Sequence, residues 1–410
     1  LEENWLFGLN GEEVCRVNKI RDLKVVDLSH ALAGPFCTML LADMGAEVIK
    51  IERPEGDHFR PAIGGGYNAA VNRNKLGICL DLKQDSAKEV VRRLIRRGDV
   101  VVESFTPGTV DRLGLGFEAS KEINPKIIFC SISGYGQTGP YRELPGYDVT
   151  AQAMAGIMMC TGEPDRPPVR IGPSLIDIGA GMYVVIGILQ ALMERDQNGQ
   201  AQRIEVSLLE TALSWMSPFI ARYSMSGELP QRLGSAWPAA APYQVYKAKD
   251  KYVFVGASTE RFWRSLCKIL GLEYLLGDPR FSTMEGRIAR RSELNEIVEN
   301  SLVDLTADEI VTKLRTAGIP CSPVMNLGEI LQDPHVKERG LLTELEHPEY
   351  GPIIQTRTPI VRSGNMPEIR SGAPLLGQHT LEVLNMLRYS EPEIEALVSS
   401  GAAVPAKRRD

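Results

Sequence analysis

The segment 171–181, IGPSLIDIGAG, sets a single carboxylate, Asp177, between a Gly-Pro turn and a long apolar run beginning at Met182. Gly179 and Gly181 follow it at the second and fourth positions. Lacking Cβ atoms, they let backbone N–H groups and a ligand approach the acid closely. Two chemistries fit this pattern. Asp177 can simply N-cap the helix that the apolar run predicts, as Asp often does. A carboxylate with an apolar floor and glycines above it can also act as a nucleophile. The local residues leave both readings open.

The elements that would position this acid follow a repeating β-then-α pattern from residue 22. LKVVDLS reads as a buried strand and AGPFCTMLLADMG as a helix with Pro35 near its start, where a missing N–H costs little. EVIKIE (47–52), LGICLDL (76–82), DVVVES and KIIFCSIS are further short apolar runs. Between the second and third of these, Ser86 and Glu89 predict a capping box that opens a helix ended by Gly98. Strands alternating with helices imply parallel pairing and a doubly wound, Rossmann-like α/β domain. Helices are expected over 147–160 and 178–196, and RIEVSLLETALSWM turns from strand into helix. A Pro/Gly/Ala-rich stretch near 222–242 reads as a linker.

Beyond it, YQVYKAKDKYVFVGAS predicts a hairpin about Lys249-Asp250, followed by helices at 259–271, 287–303 and 306–317. Thr306 and Glu309 form a capping-box pattern at the last of these. The expected division is a large domain begun by residues 1–222, a smaller α+β domain over 223–330, and a return to the large domain over 331–410.

Gly134-Tyr135-Gly136-Gln137-Thr138-Gly139 matches G-x-G-x-x-G after a strand. A dinucleotide fingerprint must also open a helix, since the pyrophosphate rests on the helix N-terminus. Here Pro140 to Gly146 follow, with a second proline at 145, and cannot be that helix. The loop reads instead as a shaped turn that delivers Tyr147-Asp148 to the next helix.

Composition narrows the function classes. The chain has 410 residues, a formal net charge of −6 and 24% charged residues, an ordinary globular balance. The acidic balance argues against nucleic-acid and anionic-membrane partners. No run reads as long and uninterrupted enough to span a bilayer. The opening LEENWLFGLNGEEV carries acids where a signal peptide needs positive charge. Seven cysteines, at 15, 37, 79, 130, 160, 267 and 321, never form a C-x-x-C pair. They predict buried free thiols and a cytoplasmic protein with no metal site.

Five stretches in fixed order resemble one family. They are LSHALAGPFCTMLLADMGAEVIKIERPEGD, NRNKLGICLDLK, VVESFTPGTVDRLGLG, ISGYGQTGPY with PGYD, and IDIGAG. Together they resemble the family III CoA transferases, whose fold the α-methylacyl-CoA racemases share. The resemblance runs from about residue 22 to LLGQHT at 375–380. It implies two subunits interlocked as a homodimer, with Asp177 as the catalytic carboxylate and Tyr147, Asp148 and Gly179 as its neighbours. It also implies a CoA path along Leu32, Ala33, Arg53, Leu80, Lys83, Ser104, Phe105 and Arg112. CoA would be a substrate, and covalent intermediates on Asp177 would make a metal or separate cofactor unnecessary. The glycines would leave room for adducts and offer N–H donors to an oxyanion.

The branches of the family differ in the groups they need. A racemase requires an acid–base pair across its substrate. Tyr147 stands where racemases carry a His, and Thr259, with Glu260 one place later, stands near their small-domain Glu. Among the five histidines, only His30 lies near a motif, and it reads as structural. The residues therefore favour a transferase using an acyl-CoA donor, with succinyl-CoA and a carboxylic acid acceptor suggested by overall texture. Trp237, in the linker, adds bulk that argues against oxalate. Arg73 and Arg170 are the candidate anchors for a second acceptor carboxylate. An idle CoA-binding homodimer is the remaining alternative of a different class.

Overall fold

A computed structural model describes residues 20–406, so the acidic N-terminal stretch and Cys15 lie outside the described residues. Six strands form a parallel sheet: β1 (Lys24–Asp27), β2 (Glu47–Glu52), β3 (Leu76–Cys79), β4 (Val100–Glu103), β5 (Ile128–Ser133) and β6 (Gln202–Ser207). Their spatial order is β3-β2-β1-β4-β5-β6. The chain winds outward from β1 on one side, then returns to build the other side from β4. In such sheets ligands bind outside the carboxyl ends of the strands, where the winding direction reverses. Here that point lies between β1 and β4.

Alternation along each strand sends successive side chains to opposite faces. Val26, Ile49, Val101 and Phe129 meet the helix Asp85–Arg97, which buries Ala87, Val90, Val91, Leu94 and Ile95 at helical spacing. Each Val, Leu or Ile among them contributes about 1.5–3 kcal/mol on full burial. Helices Ala33–Asp43 and Leu175–Asn198 pack together against the other face. The expected capping box at Ser86 is not formed. Gln84 is the N-cap without a side-chain bond, Ser86 lies inside the helix, and Asp85 pairs with Lys88 at 2.9 Å.

The stretch Leu175–Arg195 is long and apolar enough to cross a membrane by length and composition, with mean hydropathy 1.9. This corrects the expectation that no run qualifies. Ile176, Ala180, Val184, Ile188 and Ala191 form a buried stripe along this helix, which makes it a core helix of the sheet domain.

The chain divides into two compact units. The first comprises the residues up to Ala155, Gly172–Pro218 and the chain from Arg339 onward. Its C-terminal segment returns to β3, where the Val404 N–H donates to the Cys79 carbonyl at 3.0 Å. The second unit comprises Gly156–Ile171 and Phe219–Glu338. Residues 156–171, expected within the large domain, join it because Gly234 N–H bonds the Gly162 carbonyl and Arg232 bonds the carbonyls of Glu163 and Pro164.

The second unit is an antiparallel sheet of β7 (Tyr243–Lys247), β8 (Tyr252–Gly256) and β9 (Cys321–Pro323) with helices around it. The hairpin between β7 and β8 turns at 248–251, and the Thr306–Glu309 capping box is present. The stretch read as a linker from 222 begins as helix, since Ser217–Ser226 is helical. Of the described cysteines, all free, Cys37, Cys79, Cys130 and Cys267 are buried and Cys160 and Cys321 half-buried.

Candidate active site

Asp177 is the third residue of helix Leu175–Asn198, whose N-cap is Ser174. It is therefore not the cap. The first turn of any helix leaves backbone N–H groups without helical partners. Here Leu175 N–H donates to the Pro173 carbonyl at 2.9 Å, and Ile178 N–H to the Ser174 carbonyl at 3.2 Å. Ile176 and Asp177 donate to Asp148 Oδ2 at 2.8 and 3.2 Å. Asp148 is buried at the start of helix Asp148–Met154, and its other oxygen accepts from Gln152 Nε2 at 2.5 Å. The loop carrying the G-x-G-x-x-G match brings it there. Gly134 and Gly146 abut so closely that a Cβ on Gly134 would lie 2.7 Å from the Gly146 Cα.

Burial, and then the like charge of Asp148, push the Asp177 carboxyl up to about 7. The acid thus sits near the point where it ionises at neutral pH. Such a poise suits a group that must be charged to attack and must also leave readily.

The adjacent glycines have a different role from the one their position suggests. A Cβ on Gly179 would lie 2.2 Å from Trp215 Cζ2, and one on Gly181 would lie 2.6 Å from the Ala33 carbonyl oxygen. Their missing side chains admit an indole ring and the neighbouring helix. Within the helix ladder, the Gly179 N–H is already committed to the residue four earlier. Neither glycine offers the free N–H donor or the open space expected for an oxyanion.

A cavity of about 450 Å³ opens at the carboxyl ends of β1 to β4. Arg53, Leu80, Lys83 and Phe105 line it, half of the sequence-derived CoA set. Ser104 braces it from behind, since its hydroxyl accepts the His30 N–H at 2.9 Å. Arg112 is exposed beside the lining residue Leu113, with a guanidinium bond to Thr109 Oγ1. Leu32 and Ala33 are buried at the start of helix Ala33–Asp43 and are not in the wall. His30 does line the wall, its ring 5.7 Å from that of Phe105 and its Nδ1 3.2 Å from Ser104 Oγ. Burial lowers its pKa, which favours the neutral imidazole. Its place just after β1 was the available signal.

The family model for CoA-transferase family III matches residues 20–380. This chain belongs to that family. The human succinyl-CoA:glutarate CoA-transferase is 37% identical over 404 residues, covering 96% of this chain and 92% of the relative. The succinate–glutarate CoA-transferase of Agrobacterium fabrum is 36% identical over 382 residues, covering 90% and 96%. A crystal structure of a CAIB/BAIF family protein from Brucella suis superimposes with a TM-score of 0.82 at 37% identity, covering 90% of this chain and 99% of that one.

In this family III CoA-transferase, the positions weighed for racemase chemistry have other duties. Thr259 caps helix Glu260–Leu270, accepting the Phe262 N–H, and Glu260 is ion-paired with the fully buried Arg287. Tyr147 is 59% exposed, and its backbone N–H is held by Thr150 Oγ1. Arg73 is removed as an acceptor anchor. It is buried and forked onto Asp43, with Nη2 at 2.6 Å. Arg170 is exposed in the second unit. Trp237 is about half exposed, with its ring 5.3 Å from that of Tyr243. Among the described residues no cluster of His, Cys, Asp or Glu is placed to hold a metal ion.

Proposed function

We propose that this enzyme moves CoA from an acyl-CoA donor, succinyl-CoA in the first instance, to a small dicarboxylic acid, with Asp177 as the covalent carrier. The observation that carries this reading is the Asp177 carboxyl, held near neutrality by burial and Asp148 on a first turn that Asp148 itself fixes. The named activities of the human and Agrobacterium relatives support the donor and acceptor class.

The steps balance without redox chemistry or net proton transfer. An Asp177 oxygen attacks the thioester carbonyl, the C–S bond breaks, and CoA thiolate leaves a mixed anhydride. The thiolate attacks the aspartyl carbonyl and expels the donor carboxylate, giving an aspartyl-CoA thioester. The acceptor carboxylate then attacks that thioester, the C–S bond breaks, and CoA thiolate leaves a second anhydride. Thiolate attack on its acceptor-derived carbonyl releases the new acyl-CoA and regenerates Asp177. No metal or further cofactor enters. Both kinds of intermediate hydrolyse, so the site must exclude water. The exposed apolar side chains Met182, Tyr183 and Ile186 on the Asp177 helix support a homodimer in which a second subunit covers this surface.

Mass spectrometry of protein quenched after mixing with succinyl-CoA tests the mechanism. A CoA-sized adduct on the peptide containing Asp177 is expected, absent in Asp177→Ala, which still binds CoA. Normal turnover by that variant would overturn the assignment.

A further inference from the structure

Past β1, where the Leu28 N–H donates to the Val102 carbonyl, the next three backbone N–H groups are each held by a side chain rather than left for a ligand. Ser29 N–H donates to Asp27 Oδ1 at 3.0 Å, His30 N–H to Ser104 Oγ at 2.9 Å, and Ala31 N–H to Asp57 Oδ2 at 3.0 Å. The last of these carries a conformational cost. Ala31 has φ +63, the left-handed region that a Cβ disfavours. Asp57 itself is fixed from several directions. Its Oδ1 accepts the Phe59 N–H at 2.9 Å, its own N–H donates to Glu52 Oε2 at 3.0 Å, and Lys50 Nζ lies 3.9 Å from Oδ2. Lys50 is fully buried and also donates to the Ser29 carbonyl at 2.9 Å, so one ammonium ties the turn to its brace. Glu52 is in turn gripped by both arms of Arg60 at 2.8 and 2.7 Å.

We propose that Asp57, locked by Lys50, is a positioning residue for the CoA moiety: it holds the His30–Ala31 turn in a left-handed conformation and so sets the wall of the cavity. Ser29, His30 and Asp57 all line that cavity. The inference rests on reading the cavity as the CoA site. Asp57 acts through the backbone of Ala31 and needs no contact with the reacting atoms. Its loss lets residue 31 relax to negative φ, which swings His30 and Leu32 away from their places.

The test is calorimetric CoA binding together with steady-state kinetics on succinyl-CoA. Asp57→Ala is expected to weaken CoA binding and raise the succinyl-CoA KM about tenfold, with kcat within about twofold. Adding Ala31→Gly should recover most of the loss, because glycine adopts positive φ without the Cβ penalty. Asp57→Asn, which keeps one acceptor oxygen, should fall between and respond to Ala31→Gly in the same direction. If Asp57→Ala does not fold, the Asn pair carries the comparison. Unchanged CoA affinity in the Asp57 variants, a kcat loss as large as the KM rise, or no recovery with Ala31→Gly would overturn the proposal. Failure of the underlying reading is separately visible: an enzyme carrying Lys83→Glu, a charge reversal in the cavity lining, would bind CoA as well as the unaltered enzyme.

Discussion

Asp148 Oδ2 accepts the backbone N–H of Asp177 at 3.2 Å, so one carboxylate anchors the backbone of the other while its charge opposes the other's ionisation. Capping and electrostatic tuning are thus done by the same atoms. A helix N-terminus ordinarily favours a negative side chain in its first turn. With Asp148 already occupying that position, Asp177 receives little of the benefit.

Asp148→Asn separates the two roles. The amide oxygen still accepts an N–H, but the charge is gone, so the Asp177 pKa falls and adduct formation extends to lower pH. In the proposed mechanism attack requires the carboxylate, so the rate of CoA-adduct formation is expected to rise with pH through about 7 in the unaltered enzyme. Burial is the larger cause of the rise, so the acid limb should move only part of the way back toward the usual carboxylate range. A limb that stays in place would show that Asp148 does not tune Asp177.

Beneath the cavity, Lys75 and Asp27 form a buried pair at 3.0 Å, with Lys75 Nζ also donating to the Pro35 carbonyl and Asn72 Oδ1. Burial alone would raise the Asp27 pKa, but Lys75 and Lys50, with the hydroxyls of Ser29 and Thr38, hold it well below the usual carboxylate range. Lys75→Met therefore strands a buried charge and should cost about 3–5 kcal/mol of unfolding free energy. Adding Asp27→Leu should recover much of that loss. Urea unfolding at pH 7 reads both, and a loss under about 1 kcal/mol for the single variant would contradict the pairing.

Gly179→Ala places a methyl group against the Trp215 indole. The expected cost is about 1–3 kcal/mol from overpacking, seen as a lower melting temperature. Trp215→Leu in the same chain should relieve the clash. If Gly179→Ala were neutral by itself, the indole would not be packed on the glycine as described.

Much of the sheet domain was legible because its signals are local. EVIKIE became β2 with the same limits, and helix Asp85–Arg97 after β3 shows its apolar residues at helical spacing. Asp177 stood out through the turn before it and the apolar run after it. Arg53, Leu80, Lys83 and Phe105 were reached through motif resemblance, and each lies at or just past the end of an apolar run that the sequence already marked. Other readings depended on distant partners. Arg73 looked available until Asp43, thirty residues earlier in the chain, closed on its guanidinium. Residues 156–171 changed unit because their bonding partners lie near 232–234.

The sequence by itself determined the family, the parallel α/β plan and the carboxylate at 177, since all three rest on local periodicity and on motifs in fixed order. Tertiary structure alone decided that Asp148 caps the Asp177 helix, that Gly179 makes room for Trp215, and that Asp57 holds Ala31 in place. Each of these is a contact between residues separated by 26 to 36 positions, set by the approach of elements in space. Residue type fixes which group can give or accept a hydrogen bond. The packing of helices and strand ends fixes which partner it meets.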